Sequence, residues 1–215
     1  MIKVFLVEDE IIIRNGIKNS INWEMHGYDF VGEASDGELA LPMILEKKPD
    51  ILITDIKMPF MDGLELSEQV KKVLPATKIM ILSGYNEFDY AKMAIKIGVT
   101  DYLLKPISSE KLLDAVNKVA EEIRKEQSEK EQINKIQQNK IDIENLKFEA
   151  DKAEREGDYG KVAEIRYGKI KQKEEEIREV QEKLKTMQGA SARRKWTVKI
   201  SPMWYLVGRE FLSAR

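Results

Sequence analysis

The sequence of 215 residues contains no cysteine and one histidine, His26. The absence of cysteine excludes disulfides, thiol nucleophiles and thiolate metal sites, and a single histidine argues against multi-histidine metal sites and histidine-dependent catalytic triads. With only 6 prolines and 12 glycines, the chain is neither collagen-like nor of low complexity. No apolar run reaches the roughly 18 residues that a membrane span needs, and Met1 leads into a strand-like run rather than a signal peptide. We therefore expect a cytoplasmic protein.

The chain also has no large excess of charge of one sign. Its 36 basic and 38 acidic side chains give a net charge of −2. This balance offers no whole-chain argument for nucleic-acid binding. The average nevertheless conceals unlike regions. Residues 1–125 hold 16 basic and 21 acidic side chains (net −5), residues 126–189 hold 14 and 16 (net −2), and residues 190–215 hold 6 and 1 (net +5).

Short β-branched runs alternate with amphipathic stretches over residues 1–125. This alternation predicts a doubly wound α/β domain, with a parallel sheet covered by helices on both faces. The strands are almost continuously apolar, as a sheet buried on both sides requires. Pro42 is expected to kink or shorten the second helix. The expected strands are 2–7, 28–34, 50–54, 78–82 and 101–104, and the expected helices are 10–20, 37–47, 63–73, 87–97 and 109–125.

After residue 125 the composition shifts to Lys, Glu, Gln and Ile. Apolar residues recur at three- and four-residue spacing, which is typical of a coiled-coil seam. In the break at 156–158, Gly157 suits a left-handed helix end and Asp158 suits the cap of the next helix. We therefore expect an antiparallel coiled-coil helical hairpin over 126–188, locally weakened at Gly168. The apolar series are Ile136, Ile143, Leu146, Ala150 and Ala153, then Ile170, Ile177, Val180, Leu184 and Met187.

The segment 189–215 is a basic tail that carries Trp196 and Trp204. Its run Arg193–Trp196 leaves three alternatives: a nucleic-acid contact, an amphipathic partner-binding segment, or a partly disordered tail or non-native reading frame beyond a junction. Five net positive charges would add affinity for phosphates. However, no recognition helix is readable and Pro202 interrupts the stretch, so we expect no DNA binding within this chain.

Charged and hydroxyl side chains stand where predicted strands end: Glu8 and Asp9 after the first, Asp55 after the third, Ser83 after the fourth and Lys105 after the fifth. In open α/β sheets, ligands bind outside the carboxyl ends of the strands. Three carboxylates gathered there repel one another unless a hard divalent cation joins them, and oxygen ligands suit Mg²⁺. A lysine would pair with a carboxylate or a phosphoryl oxygen. Any one of these acids alone could equally be a solvated loop residue, so the prediction of a site depends on their combination.

These residues lie in motifs that resemble the receiver (CheY-like) domain of two-component response regulators. The motifs are 7–10, 54–59 with Asp62-Gly63, 82–85 and 101–106, and the resemblance covers residues 1 to about 124. The runs 21–23 and 32–37 resemble the YesN/AraC-type subgroup, which often carries an AraC-type DNA-binding output. The resemblance implies a flavodoxin-like (βα)5 fold, phosphorelay signalling and a sensor histidine kinase as partner.

The resemblance also implies a role for each matching residue. Asp55 would be the phosphoacceptor, and Glu8, Asp9, Asp55 and the backbone carbonyl of Lys57 would hold Mg²⁺. Many receivers have Asp at the position of Glu8, and this departure affects the expected distance between the carboxylate and the metal more than the expectation of metal binding. An ordinary half-buried strand tyrosine is the alternative for Tyr102. The remaining roles are phosphoryl binding for Ser83, Gly84 and Lys105, a switch formed by Ser83 and Tyr102, and a cis peptide bond between Lys105 and Pro106.

Residues 146–170 resemble the middle coiled-coil domain of ClpB-type disaggregases, most densely at 153–158 and 166–170. ATPase chemistry would need a Gly-x-x-x-x-Gly-Lys-Ser/Thr loop, which the sequence lacks. We therefore expect only Mg²⁺-dependent self-phosphorylation and dephosphorylation, not an enzyme with a separate substrate. The leading hypothesis is a receiver that signals to a coiled-coil module, with a homodimer through either part. The alternative is a chimeric or truncated chain with a structural, chaperone-derived coil and no native output.

Overall fold

The computed structural model describes residues 1–84 and 88–198. They belong to two compact units, Met1–Lys125 and Glu126–Arg215. Tyr85 and the part of the predicted basic tail from residue 199 onward lie outside the described residues. No helix in the described ranges carries an apolar stretch long enough to cross a membrane.

The first unit contains a parallel five-stranded sheet in the order β2-β1-β3-β4-β5. Because β1 lies between β2 and β3, the strand order reverses there, and the carboxyl ends of β1 and β3 flank the point where ligands bind in such folds. The predicted flavodoxin-like α/β fold is confirmed. The strands are β1 (Ile2–Val7), β2 (Tyr28–Ala34), β3 (Ile51–Asp55), β4 (Lys78–Ser83) and β5 (Asp101–Leu104).

Helices α1 (Ile11–Ser20), α2 (Gly37–Lys47), α3 (Gly63–Val73) and α4 (Phe88–Ile97) connect the strands, and α5 follows β5. Two aspartates cap helix starts: Asp36 accepts from Leu39 N, and Asp62 accepts from the amides of residues 64 and 65. Of the two predicted effects of Pro42, the shortening of α2 is wrong. The helix runs through Pro42 to Lys47, because the missing proline N–H removes only one hydrogen bond.

Two apolar clusters cover the two faces of the sheet. Since side chains alternate along a strand, Val4 and Leu6 of β1 join one cluster, while Phe5 and Val7 join the other. The first cluster includes α1 and α5 residues, and the second includes residues from α2, α3 and α4. All four β1 residues are buried, which explains the unbroken apolar run.

Helix α5 extends from Ser109 to Arg155, so the predicted helix end near residue 125 is wrong. The physical reason is that the whole stretch contains neither proline nor glycine. After Gly157, which has a φ of 77°, the Asp158 side chain accepts from Lys161 N and α6 (Tyr159–Ala163) begins. A π-helical segment, Glu164–Ile170, leads into α7 (Lys171–Val198). Helix α7 continues beyond residue 188, because Gly189 weakens a helix without stopping it, and the hairpin bounds 126–188 stay a prediction.

The two helical arms of the second unit pair side chains in antiparallel order. Partner numbers fall from Glu176 through Lys173 to Lys161 as α5 is followed from Asn139 through Asp142 to Glu149. Residues of the predicted series, Ile143, Ala150 and Ile170, form a small apolar cluster with Ile165. The burial of Asn139 was not predicted, because the periodic pattern used to find buried positions counts only apolar residues. Knobs-into-holes packing of a coiled coil stays a prediction.

Candidate functional site

Three carboxylates meet at the carboxyl edge of the sheet. Glu8 and Asp9 follow β1, Asp55 is the last residue of β3, and one ligand oxygen from each lies within 4.8 Å of the other two. Glu8 and Asp55 are buried, whereas Asp9 is partly exposed. The adjacency of β1 and β3 therefore brings together three of the predicted residues.

Lys105 lies between two of these carboxylates. Its Nζ is 2.6 Å from Asp55 Oδ2, 2.8 Å from Glu8 Oε2 and 3.1 Å from Glu8 Oε1. Hydrogen-bond geometry is met at Asp55 Oδ2 and Glu8 Oε1, so the buried Glu8 Oε2 is ion-paired without accepting a hydrogen bond from the described residues. The peptide bond between Lys105 and Pro106 is cis.

The pKa values of Glu8 and Lys105 reflect this arrangement. Burial raises the pKa of the Glu8 carboxyl and the Asp55 carboxylate adds to this rise, while Lys105 opposes it. Burial would lower the pKa of the Lys105 ammonium, but hydrogen bonds to Asp55 and Glu8, together with their charges, outweigh it and raise the pKa. The ammonium ion of Lys105 is thus stabilised where negative charge is concentrated.

The backbone around Asp55 orients its carboxylate. Ile56 N donates to Asp55 Oδ1 at 2.7 Å, and the Asp55 carbonyl accepts from Thr54 Oγ1 at 2.9 Å. Gly63, at the start of α3, packs so closely that a Cβ there would lie 1.8 Å from the Asp55 carbonyl oxygen. The absent side chain therefore lets α3 begin directly beside β3.

The donor set fits a hard divalent cation. All three side chains offer oxygen ligands, one from each within 4.8 Å of the other two, and their three negative charges exceed the single charge of Lys105. Asp9 and Lys57 line the same cavity, of about 450 Å³, together with Asp62 and Tyr90. The residues present thus fit Mg²⁺ better than Zn²⁺ or Cu²⁺, whose usual ligands in proteins include nitrogen or sulfur.

Ser83 and Tyr102 lie on neighbouring strands. Ser83 ends β4 directly after Leu82, the residue paired with Asp55, and its side chain is buried. The Tyr102 hydroxyl donates to Ser83 Oγ at 2.7 Å, and Ser83 Oγ donates to the carbonyl of Gly84 at 3.1 Å. The Ser83 carbonyl accepts from Lys105 N at 2.7 Å, so the backbone links this pair to the lysine.

Residues 4–117 match the family model of the response regulator receiver domain. The chain belongs to this family. Among curated relatives, it is 42% identical over 126 residues to an uncharacterized transcriptional regulatory protein, YesN, of Bacillus subtilis, covering 59% of this chain and 34% of that one. It is 36% identical over 129 residues to the transcriptional regulatory protein HptR of Staphylococcus aureus, covering 60% and 50%. The chain thus spans about a third to a half of the curated relatives it matches.

Solved structures agree with this assignment. The REC domain of AraT, a response regulator from Geobacillus stearothermophilus, is 44% identical with a TM-score of 0.55, covering 58% of this chain and 97% of that one. A two-component transcriptional regulator AraC from Clostridium phytofermentans is 33% identical with a TM-score of 0.55, covering 59% and 98%. The receiver fold and the predicted relation to YesN- and AraC-type regulators are confirmed, while the ClpB-type resemblance stays a prediction.

Sequence reasoning missed two residues that support the receiver site. Gly63 was noted only as part of a motif, and Arg14 was not noted at all, although it contacts the backbone of both Glu8 and Asp9. The sequence does contain a signal for Arg14. It lies in the first two turns of α1, a few residues after the acidic pair, and long helical side chains point back toward the helix N-terminus, where that pair lies.

Proposed function

We propose that the receiver accepts a phosphoryl group on Asp55 from a sensor histidine kinase in a Mg²⁺-dependent reaction. The observation that carries this proposal is the position of Lys105 Nζ, in contact with both Asp55 and Glu8 beside a third carboxylate. Phosphoryl transfer depends mainly on positioning and on neutralisation of charge. One nucleophilic carboxylate, two further acids and one ammonium ion meet both requirements.

Glu8, Asp9, Asp55 and the backbone carbonyl of Lys57 would hold Mg²⁺. When bound, the cation would offset the charge of the carboxylates and of the incoming phosphoryl oxygens. The closeness of three carboxylates whose total charge exceeds that of Lys105 supports this assignment.

In the transfer step, an oxygen of the Asp55 carboxylate would form a bond to phosphorus while the bond from phosphorus to the kinase histidine breaks, and the histidine nitrogen would keep the electron pair. Ile56 N and Lys105 Nζ each hold one oxygen of Asp55, so the carboxylate is oriented before the donor arrives. Ser83, Gly84 and Lys105 would then bind the phosphoryl oxygens.

Ser83 and Tyr102 would form the switch. In this structure Tyr102 donates to Ser83 Oγ, so a turn of Ser83 toward phosphoryl oxygens would break that hydrogen bond and free the tyrosine to adopt a second packing. This is a shift of population between two states. Under the alternative, an ordinary half-buried tyrosine, Tyr102→Phe would leave every phosphorylation-dependent change intact.

Labelling by radioactive acetyl phosphate tests the proposal. Asp55→Asn is expected to abolish labelling, and removal of Mg²⁺ with EDTA is expected to do the same to the wild type. The matched control is Asp114→Asn, which changes an exposed acid of α5 and is expected to leave labelling unchanged. Undiminished labelling of Asp55→Asn would contradict the assignment.

We propose further that phosphorylation is signalled to the helical hairpin, with a homodimer through the receiver or the hairpin as the output. What supports this is that α5 supplies residues to both units without an intervening proline or glycine. Because the relatives are named transcriptional regulators, we assign DNA contacts of a full-length protein to a part other than the receiver. Receivers are not generally enzymes with a separate substrate, and we propose self-directed chemistry only.

Light scattering with and without beryllofluoride distinguishes the two hypotheses for the output. A change in molar mass on addition of beryllofluoride is expected if the receiver controls assembly. An unchanged mass and unchanged helix geometry would favour the alternative, a chimeric or truncated chain whose chaperone-derived hairpin has no native output.

A further inference from the structure

One guanidinium joins three elements beside the acidic site. Arg14 lies on α1, with a side chain that is 14% exposed. Its Nη1 donates to the carbonyl of Glu8 at 2.5 Å and to the carbonyl of Asp9 at 3.3 Å, and its Nε is 3.9 Å from Glu33 Oε1 on β2. The two carbonyls belong to the residues whose carboxylates face Asp55.

The backbone after β1 needs such a partner. The parallel ladders of β1 end at Val7, and beyond it Glu8 N still donates to Ala34 O at 3.1 Å. The Glu8 residue is fully buried, so a carbonyl left without a hydrogen bond there would cost about 1–3 kcal/mol. Arg14 satisfies this carbonyl and the next one, and thereby constrains the direction in which both side chains leave the chain.

The geometry favours an arginine over a lysine. Both carbonyls accept from the same atom, Nη1, which lies one bond farther along the side chain than the Nζ of a lysine would. On the other side of the guanidinium, Nε lies 3.9 Å from Glu33 Oε1, and Glu33 also pairs with Lys18 at 3.1 Å. The contacts that hold the backbone are therefore the two hydrogen bonds from Nη1.

We infer that Arg14 is a positioning residue for the Mg²⁺ ligands: it holds the backbone of Glu8 and Asp9 so that both carboxylates face Asp55. This inference rests on the proposed function, because it concerns the same metal site. Loss of a group that orients a metal ligand typically weakens metal binding by about 10- to 100-fold. The charge of Arg14 acts in the opposite sense, since a cation near the site disfavours Mg²⁺. The sign of the effect therefore separates positioning from charge.

Titration of the full chain with MgCl₂, followed by amide chemical shifts in two-dimensional NMR, tests the inference. Arg14→Lys keeps the charge but loses the planar donors, and Arg14→Ala loses both. We expect the Mg²⁺ dissociation constant to rise about 10-fold or more in both variants. The matched control is Lys18→Ala, which removes a nearby positive charge and a Glu33 partner but leaves Arg14 in place, and is expected to stay within about 2-fold of the wild type.

A second measurement separates positioning from loss of structure. At low Mg²⁺ the rate of labelling by acetyl phosphate should fall in Arg14→Lys, and at saturating Mg²⁺ it should recover, because every ligand is still present. A native amide spectrum of Arg14→Lys shows that the variant is folded, so this variant carries the test if Arg14→Ala is not folded.

Four outcomes would count against the inference, and the last of them would also contradict the proposed function. Wild-type affinity in Arg14→Lys, or tighter Mg²⁺ binding in Arg14→Ala, would show that Arg14 acts only as a charge or a structural contact. A labelling rate that stays low at saturating Mg²⁺ would also overturn the positioning role. If the wild type itself shows no saturable Mg²⁺ binding, the proposed function fails, and the inference fails with it.

Discussion

Replacement of Gly63 by alanine tests how closely α3 packs against the phosphoacceptor candidate. An added Cβ would lie 1.8 Å from the carbonyl oxygen of Asp55, 2.9 Å from its carbonyl carbon and 3.1 Å from Thr54 Oγ1. Real Cβ atoms essentially never come closer than 3.0 Å to such neighbours. Because the nearest atoms belong to backbone rather than to the end of a flexible side chain, β3 and the start of α3 would have to separate by roughly 1 Å.

The cost follows from what surrounds this contact. All five residues of β3 are buried, and Gly63 N donates to Ile56 O at 2.9 Å, so movement on either side disturbs packing or a hydrogen bond. Overpacking a dense interior costs about 1–3 kcal/mol, and a hydrogen bond contributes about 1 kcal/mol more. We therefore expect Gly63→Ala to lower the free energy of unfolding of the receiver by about 3 kcal/mol or more. The displaced Asp55 should also be labelled more slowly by acetyl phosphate.

Urea unfolding of the full chain, followed through the amide NMR signals of β3, measures the effect on the receiver alone. Gly16→Ala is the control, because Gly16 lies within α1 and has no atom within 4 Å of an added Cβ. Alanine is favoured over glycine inside a helix, so this variant should be stabilised by up to about 1 kcal/mol. The reasoning is refuted if Gly63→Ala unfolds within about 0.5 kcal/mol of the wild type while the control behaves as expected.

Two further predictions concern other parts of the chain. The Tyr28 hydroxyl donates to Asn117 Oδ1, and burial raises the pKa of Tyr28 in the folded protein. The stability that the neutral Tyr28 contributes is therefore fully present below the pKa of about 10 of an unfolded tyrosine, and it is lost as the pH rises through the pKa of the folded state. In urea unfolding, Tyr28→Phe should lower the free energy of unfolding by about 1 kcal/mol at pH 7. Between pH 9 and about 11 the variant should lose less stability than the wild type, and an equal loss in both proteins would contradict this prediction. In the hairpin, the buried Asn139 pairs with Lys173 and Glu176, and a buried polar residue specifies register at a cost in stability. Asn139→Leu should keep or raise the midpoint of thermal unfolding, and it should broaden the distribution of distances between spin labels placed on the two arms. A lower midpoint together with a single, unchanged distance between the labels would contradict a role of Asn139 in setting the register.

Much of the receiver could be predicted because its signals are local. Apolar runs and helical periodicity located all five strands and the starts of the helices to within about two residues. The rule that parallel strands end at one edge then placed Glu8, Asp9 and Asp55 together, and the carboxylate distances agree with that placement. The helix end near 125 was wrong, although the two compact units divide there, because a change in composition can mark the border of a unit without stopping a helix.

The sequence by itself determined the order of strands and helices, the edge of the sheet at which the acids gather and the family to which the receiver belongs. Only the tertiary structure decided that Lys105 contacts both Glu8 and Asp55, which are 97 and 50 residues away along the chain. It also decided that Gly63 lies against Asp55 and that Arg14 reaches the carbonyls of Glu8 and Asp9. The physical reason is that these contacts depend on strand register and on the direction of individual side chains, whereas periodicity reports only which face of an element is apolar.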